Sequence, residues 1–417
     1  MAEIELSEET REQAKQIGSA DIVVGIAGAV ALEELRTRAE QAVAGLNPNA
    51  ASLRVVFAWP GTPGELARPG GNGNGHSALT LLPFAAPSAH GEFWSAVSAS
   101  QRAVLAVAGS LNARVCIVLG ADLAGLQTQA IQLFAYAISE RQCALAMPVY
   151  PARKYDGLLN TGILSPLSRA LYGKRVRYPV TFDFAASEAM SARLARSERS
   201  SEIAGEKLLW PVTLAATQSP QSLVGQVHVS VHHQVATAGL ELSAVLGQLV
   251  GSMFEEMENS APQWQRVRGS QPAPVWGNAP PDDPDGEPID AQPMLDSFLL
   301  GSKNLDEVWR LVLPPNTMLE LRRLTRVSAA PFRMPDDLWA SIVYDFALAW
   351  RLRTISRVHL LGALTPLYLG WAASWVREVA GLTRSLAEQR FEQFARVWEE
   401  KKPYLLSRWR WPDRFNP

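Results

Sequence analysis

The chain has 417 residues, of which 47% are apolar and 19% are charged, and its formal net charge is -2. This length suits one large or two modest globular domains. The near-neutral charge gives no electrostatic case for nucleic-acid binding, which needs a concentrated basic face, so we expect no nucleic-acid partner. Both cysteines, Cys116 and Cys143, lie in apolar runs without the spacing of a metal site or a disulfide framework. They indicate a reduced, cytoplasmic protein.

The sequence predicts neither a signal peptide nor a transmembrane segment. Its first residues, "MAEIELSEETREQAKQIGSA", are polar and acidic. The most apolar late stretch, "HLLGALTPLYLGWAASW", is short for a membrane span and contains Pro366, which favours a buried helix. The tail "LLSRWRWPDRF" leaves a membrane-surface role open. Its alternating tryptophans and arginines are more typical of a sealed domain edge, with arginine stems over aromatic faces.

Short apolar runs alternate with helical patterns through the first half of the chain. Strands are predicted at 21–26, 53–59, 78–84, 114–120 and 143–149. Helices are predicted from about Leu32 to Leu46 and through "EFWSAVSASQRAVLAVAGSL" and "TQAIQLFAYAISERQ". This alternation predicts an α/β fold with a mostly parallel sheet that is covered on both faces.

The composition changes near residue 262. Residues 262–293 are crowded with proline, glycine and aspartate, and helical patterns follow at 294–313, 335–351, 354–380 and 384–400. We therefore expect an α/β domain at 1–260, a Pro/Gly-rich connection at 261–293 and a helical C-terminal domain at 294–417.

Asp122 is the first candidate for chemistry. In "VCIVLGADLAG" it follows a predicted strand, and open α/β sheets bind ligands beyond the carboxyl ends of their strands. Its carboxylate suits Mg²⁺ or Mn²⁺, which prefer oxygen ligands. It equally suits the N-cap of a helix that starts near Leu126, and the spacing alone leaves both interpretations open.

Other motifs are weaker. "GQVHVSVHHQV" supplies His228, His232 and His233 as candidate metal ligands, although adjacent histidines are common on protein surfaces. The first strand is followed by Gly25-x-x-Gly28 and not by G-x-G-x-x-G, which argues against a nicotinamide or flavin enzyme. The sequence contains neither a P-loop nor a G-x-S-x-G elbow.

The segment "YDGLLNTGILSPLSRALYGKRVRYPVTFDF" (155–184) carries a family resemblance. It is similar to the signature of GT-A-fold glycosyltransferases of the glucosylglycerate and mannosylglycerate synthase type, which is close to Y-D-G-T-I-T-N…P-L-T-R-A-L-Y-G-K-R-[IV]-R-x-P-I-G-G-D-F-G. "LVGSMFEEMENSAPQW" resembles the helix after the family's metal-binding histidine. "MPDDLWASIVYDFALAW" and "LLGALTPLYLGWAASWV" resemble its C-terminal region, so the likeness covers most of 20–400.

The resemblance implies a retaining glycosyltransferase with a GT-A, Rossmann-like catalytic domain at 1–260 that binds a nucleotide sugar. It implies transfer of glucose or mannose from a UDP- or GDP-hexose to a small hydroxy acid such as D-glycerate, assisted by a divalent cation, Mg²⁺ or Mn²⁺. The implied partners are small-molecule substrates. The apolar faces of the helical C-terminal domain also leave a homodimer open.

The same resemblance assigns roles to individual residues. Asp122 falls on the last acid of the family's D-x-D motif and, with His233 or His232, is an expected metal ligand. Asp183 matches the acid of G-G-D-F-G and is expected to face the reacting sugar as the catalytic residue. The expected substrate-binding residues are Arg153, Tyr155, Asp156, Asn160 and Thr161. The expected nucleotide-binding residues are Gly25, Ile26, Ala27 and Ala121.

Four departures affect the donor half of the family pattern. The D-x-D motif is Gly120-Ala121-Asp122, and G-G-D-F-G is 181–185, "TFDFA", with the bulky Phe182 in place of a glycine. The nucleotide-contacting stretch is the apolar "AGAVALEEL", and the expected basic Gly-rich element is "AHGEFW", without lysine. The alternative is therefore a catalytically impaired relative that acts as a binding or regulatory module. That alternative gains if Phe182 fills the cleft.

We expect Arg153→Ala to raise the acceptor concentration needed for half-maximal turnover more than the donor concentration, because a guanidinium grips a carboxylate with two parallel hydrogen bonds. Steady-state kinetics with each substrate varied in turn measures both. A defect confined to the donor contradicts the assignment of Arg153 to the acceptor.

Overall fold

The computed structural model describes residues 6–28, 30–45, 53–62, 64, 79–85, 93–120, 126–151, 153–197, 200–201, 205–230, 241–279, 288–326 and 332–411. The strands are β1 Ile22–Ile26, β2 Val55–Pro60, β3 Thr80–Phe84, β4 Val115–Leu119, β5 Leu145–Val149, β6 Lys174–Arg175, β7 Phe184–Ser187, β8 Ser200–Ser201, β9 Gly205–Glu206, β10 Val224–His228, β11 Gln271–Pro272 and β12 Val275–Trp276.

The helices include one short π-helix, Asn160–Leu164. The α-helices are α1 Glu8–Ile17, α2 Leu32–Gly45, α3 Phe93–Ser110, α4 Thr128–Ser139, α5 Ser165–Tyr172, α6 Glu188–Ala195, α7 Pro211–Gln218, α8 Leu242–Asn259, α9 Ala261–Trp264, α10 Gln292–Asn304, α11 Asp306–Val312, α12 Pro315–Arg326, α13 Asp336–Leu352, α14 Arg357–Val379 and α15 Arg384–Arg410.

The chain forms two compact units that interleave in sequence. The α/β unit comprises Met1–Pro151, Val176–Ala236 and Pro272–Pro280, and the helical unit comprises Ala152–Arg175, Thr237–Gln271 and Pro281–Pro417. The boundaries expected from composition, 1–260, 261–293 and 294–417, divide the chain into consecutive segments, whereas each unit in the structure combines three separate segments. Composition marks where a chain is rich in proline and glycine, whereas the units reflect contacts between segments that are distant in sequence.

One eight-stranded sheet organises the α/β unit, with the strand order β12-β10-β5-β7-β4-β1-β2-β3. Strand β7 runs antiparallel to its neighbours β4 and β5, and the other paired strands are parallel. All five residues of β1 and of β4 are buried, as expected when helices cover both faces. The predicted α/β class, with a mostly parallel sheet and a helical C-terminal region, is confirmed.

The sheet has one apolar core on each face. Val23 and Cys116 belong to one core, and Val24 and Ile117 to the other, because successive side chains of a strand point to opposite faces. Helix α3 covers the first face through Val104, and α4 covers the second through Phe134. The predicted strands at 21–26, 53–59, 78–84, 114–120 and 143–149 correspond to β1 through β5.

Gly25 in β1 lies where the sheet approaches α3 closely. A Cβ atom added there would lie 2.0 Å from Cγ1 of Val104, which is far inside van der Waals contact. The absence of a side chain at Gly25 therefore has a packing cause. Its expected contact with a nucleotide stays a prediction.

A buried ionic cluster links α13 and α15 in the helical unit. The Arg408 Nε atom lies 2.8 Å from Oδ1 of Asp345, and the Tyr404 hydroxyl donates to both carboxylate oxygens at 2.9 Å. Burial raises the pKa of Asp345 to about 7, although Arg408 and Tyr404 act in the opposite direction. The hydrogen bonds from Tyr404 and the opposite charge of Arg408 offset the cost of burying the Asp345 carboxylate inside a helix bundle.

The motif segment 155–175 also belongs to the helical unit. Gly162 faces Trp371, whose ring atom Cζ3 would lie 2.3 Å from an added Cβ. The indole of Trp339 donates to the Gly162 carbonyl at 2.8 Å. The buried Arg169 guanidinium pairs with Glu392 and with Glu399 on α15. Much of this segment therefore has a packing role.

The two tryptophans of the tail pattern differ, because Trp409 is buried whereas Trp411 is 69% exposed. Trp409 is 3% exposed, and the Arg351 guanidinium lies 4.6 Å from its ring centroid, so an arginine does cover an aromatic face at this edge. In the part of the chain that the structure describes, no helix has both the length and the apolar character to cross a membrane.

We expect Gly25→Ala to lower the free energy of unfolding by about 1–3 kcal/mol, because the new methyl group overpacks the contact with Val104. Urea denaturation followed by far-UV circular dichroism measures the change. Gly109→Ala is the control: it lies on α3, and an added Cβ there meets nothing within 4 Å. Equal unfolding free energies for Gly25→Ala and the parent would refute the close approach.

Candidate functional site

The strand order marks a ligand-binding edge on the sheet. From β1 the chain moves outward through β2 and β3, and it then returns to place β4 on the other side of β1. The direction of winding therefore changes between β1 and β4. In open α/β sheets, ligands bind outside the carboxyl ends of the strands at such a point. Ala27, directly after β1, donates its backbone N–H to the Leu119 carbonyl at the end of β4, at 2.9 Å.

Asp183 lies at this edge because β7 is antiparallel. A strand that runs opposite to β4 and β5 begins where those strands end, and Asp183 immediately precedes it. Its Oδ1 accepts a hydrogen bond from the Gly120 N–H at 2.7 Å, and its Oδ2 accepts one from the Tyr150 hydroxyl at 2.8 Å. The residue is only 2% exposed. Gly120 follows β4 and Tyr150 follows β5, so one carboxylate joins the ends of two strands.

Tyr150 connects Asp183 to a second aromatic ring. Burial of the phenol and the adjacent Asp183 charge raise the pKa of Tyr150 well above its usual value, so Tyr150 donates a proton to this hydrogen bond at physiological pH. Its ring centroid lies 5.1 Å from that of Tyr178 in an edge arrangement. The Arg177 guanidinium lies 5.2 Å from the Tyr178 ring centroid. This part of the edge combines a carboxylate, two phenols and a cation.

The segment that precedes Asp183 is held from α3. The side-chain amide of Gln101 donates to the carbonyls of Thr181 and Phe182 at 3.0 and 3.1 Å. The Phe182 ring stacks on Trp94, with centroids 4.7 Å apart and planes 10° from parallel, and it is 6% exposed. The Thr181 hydroxyl donates to the Asp183 carbonyl at 2.5 Å. The carboxylate is thus fixed through both its side chain and its backbone.

The arrangement can present a fixed negative charge at a ligand-binding edge. Each carboxylate oxygen accepts a hydrogen bond here, one from Gly120 and the other from Tyr150. A charge held by existing hydrogen bonds needs little reorganisation when an opposite charge develops nearby.

The expected metal ligands Asp122, His232 and His233, and the expected nucleotide contact Ala121, lie outside the described residues. Among the residues that the structure does describe, no group of three or more His, Cys, Asp or Glu side chains is arranged to hold a metal ion. The divalent cation stays a prediction.

The described nucleotide candidates lie at the end of β1. Gly25 and Ile26 are buried within the strand, and Ala27 is 5% exposed. The following helix, α2, has Glu33 and Glu34 in its first turn. These acids already balance the positive end of the helix dipole, so this N-terminus is a poor site for a diphosphate.

The expected acceptor residues lie together in the helical unit. Arg153 is exposed, and its backbone N–H donates to the Asp156 carboxylate at 2.9 Å. Lys154 lies 5.2 Å from the Tyr155 ring centroid and donates to the Ala380 carbonyl at 2.8 Å, beyond the end of α14. Asn160 begins the π-helix, and Thr161 is 4% exposed. Their roles in binding an acceptor stay predictions.

Sequence analysis did not identify Tyr150, Gln101 or Trp94 as parts of this site. One positional signal existed for Tyr150, which follows a predicted strand just as Asp122 does. Trp94 and Gln101 are seven residues apart, two turns along one helix face, but nothing in that spacing shows what the face contacts.

Comparison with solved structures found a crystal structure of glucosyl-3-phosphoglycerate synthase from Mycobacterium tuberculosis in complex with Mn²⁺, uridine-diphosphate-glucose and phosphoglyceric acid. Its TM-score is 0.33 at 14% sequence identity, over 59% of this chain and 82% of that chain. A likeness of this size carries no argument about fold or function. No protein-family model and no curated protein matches the chain.

We expect Asp183→Ala to lower the free energy of unfolding by about 1–3 kcal/mol, because it leaves the Gly120 N–H and the Tyr150 hydroxyl without their acceptor. Asp183→Asn should lower the free energy of unfolding by less, since the asparagine carbonyl oxygen can still accept a hydrogen bond from the Gly120 N–H. Urea denaturation compares the two variants. Equal losses would contradict the hydrogen-bonding role of this carboxylate.

Proposed function

We propose that the chain is a retaining glycosyltransferase that transfers glucose or mannose from a UDP- or GDP-hexose to a small hydroxy acid such as D-glycerate. One observation carries the proposal: Asp183 is held by two hydrogen bonds at the carboxyl ends of the parallel strands, near the point where the direction of winding changes. It is also the residue for which the resemblance implies a place facing the reacting sugar. Position in the fold and position in the motif thus favour the same carboxylate.

The chemistry of glycosyl transfer suits a fixed carboxylate. Breaking a glycosidic bond to a diphosphate gives the sugar ring oxocarbenium character, and a preorganised negative charge stabilises that positive charge. Gly120 and Tyr150 hold the two oxygens of Asp183 before the substrate arrives, so orientation costs little during the reaction. We assign to Asp183 this electrostatic role toward the reacting sugar.

The proposal includes a divalent cation, Mg²⁺ or Mn²⁺, assigned to Asp122 with His233 or His232. When bound, the cation neutralises charge on the departing diphosphate. The acceptor is assigned to Arg153, Tyr155, Asp156, Asn160 and Thr161. Of these, the exposed guanidinium of Arg153 has the geometry to bind a carboxylate through two hydrogen bonds.

A second candidate is a catalytically impaired relative that binds a ligand or a protein without transferring sugar. The stacked Trp94 and Phe182 rings favour it, because they occupy space beside Asp183 where the family motif has a glycine. The first candidate is the better supported, since the stack leaves Asp183 and both of its hydrogen-bond donors in place.

Calorimetric titration tests the donor site. We expect UDP-glucose, GDP-glucose or GDP-mannose to bind the parent protein with Mn²⁺ and to bind weakly without it. Asp122→Ala should abolish the part of nucleotide-sugar binding that depends on Mn²⁺, because the cation loses a carboxylate ligand. Asp21→Ala is the control, since Asp21 is also an aspartate next to a strand but precedes β1, at the opposite edge of the sheet.

Turnover separates the two candidates. With D-glycerate present, an active enzyme releases nucleoside diphosphate and forms a product whose anomeric configuration matches that of the donor, which NMR coupling constants report. Metal-dependent binding without release of nucleoside diphosphate would favour the impaired relative. Absence of binding by all three nucleotide sugars would overturn the proposal.

A further inference from the structure

Two side chains of helix α3, Gln101 and Trp94, contact the residues that precede Asp183. We propose that Gln101 is a positioning residue for the transfer reaction: its amide fixes the two peptide groups that precede Asp183 and so sets the direction of the carboxylate. This inference rests on the proposed function, because it concerns the same reaction at the same site.

The hydrogen bonds of Gln101 are specific to this segment. Its Nε2 donates to the Thr181 carbonyl at 3.0 Å and to the Phe182 carbonyl at 3.1 Å. Gln101 is 2% exposed, and both acceptors belong to residues that are 6% exposed. Water has little access to these carbonyls, so loss of the amide would leave buried acceptors to be satisfied by movement of the segment.

A second residue on the same helix face, Trp94, also contacts the segment that precedes Asp183. Trp94 lies seven residues before Gln101, which places both on one side of α3, two turns apart. Trp94 stacks on the Phe182 ring while Gln101 holds the Phe182 carbonyl. A single helix face therefore holds both the side chain and the backbone of the residue next to Asp183.

The primary amide of Gln101 makes both contacts. The two N–H groups of one NH₂ reach two successive carbonyls, whereas asparagine is shorter by one methylene. Methionine has a similar length and offers no donor. A buried glutamate facing two carbonyls is held protonated, because burial and the nearby acceptors disfavour its charge, and it then donates one hydrogen bond.

The reaction should be sensitive to this support. A displacement of about 1 Å in a reacting group can lower a rate by about 100-fold. Gln101 makes no proposed contact with the nucleotide, so its loss should affect the chemical step more than donor binding. We expect Gln101→Met to lower kcat by about 10–100-fold, with the KM for the nucleotide sugar changed by less than about threefold. The kcat of Gln101→Glu should lie between that of the parent and that of Gln101→Met.

The experiment combines kinetics with the backbone amide resonance of Gly120, measured by NMR. That N–H donates to Asp183, so its chemical shift reports the position of the carboxylate whether or not the protein turns over. Ser98→Ala is the matched control: Ser98 is a buried polar residue of α3 that accepts a hydrogen bond at 3.1 Å from the backbone N–H of Leu209, a residue outside segment 181–183. We expect the Gly120 resonance to move in Gln101→Met and to stay in place in Ser98→Ala.

Each outcome decides the inference. Unchanged kcat and an unchanged Gly120 resonance in Gln101→Met overturn it and leave the proposed function standing. Equal losses of kcat in Gln101→Met and Ser98→Ala also overturn it, because the cause would then be general weakening of α3. If Gln101→Met does not fold, Gln101→Glu gives the same comparison. A parent without turnover overturns the proposed function and the role of Gln101 in it, while a shifted Gly120 resonance would still establish that Gln101 holds Asp183.

Discussion

The hydrogen bonds of Asp183 are the contact on which the candidate site depends. A single antiparallel strand, β7, lies between β4 and β5, and it can enter the sheet only from the edge where those strands end. A buried carboxylate at that entry requires donors, which the Gly120 N–H and the Tyr150 hydroxyl provide. The same bonds secure the start of β7 and fix the charge, so fold and candidate chemistry share one cause.

Much of the sheet could be predicted from the sequence. Strands β1, β2, β4 and β5 are almost entirely buried and therefore appear in the sequence as unbroken apolar runs, while the intervening helices show an apolar stripe. Strand β3, at the edge of the sheet, begins with two half-buried residues. Strand β7 was not predicted, because its four residues, Phe184–Ser187, are too few to show a period. The helix predicted at 384–400 is present, but it ends ten residues later than predicted. Helix α15 continues through Pro403 to Arg410, where Lys402 donates to the Val267 carbonyl at 2.7 Å and Trp409 is buried. Tertiary contacts there outweigh the cost of a proline inside a helix.

The candidate site was less accessible to sequence reasoning. Asp183 was identified only because its segment resembles a family motif. Its partners were not, because Tyr150 is 33 residues away and Gln101 is 80 residues from Thr181. Contacts at such separations depend on strand order, and an order in which β7 returns between β4 and β5 has no local signature. The helical unit shows the same limit, since its Arg169 has the appearance of a surface cation in sequence but is buried against two glutamates on α15.

The departures from the family pattern have a different meaning once the packing is known. Phe182 stands where the family motif has a glycine, and Trp94 ends the stretch "AHGEFW", which lacks the expected lysine, so each departure taken separately indicates loss of a ligand contact. In the structure the two aromatic rings stack on each other. This contact holds the residue before Asp183 against α3. A loop that loses a glycine also loses conformational freedom, because a phenylalanine backbone is restricted where glycine is not. Together with the Gln101 amide, the stack makes the segment more rigid while the carboxylate keeps its donors. The residues beside Asp183 that depart from the motif therefore support the carboxylate.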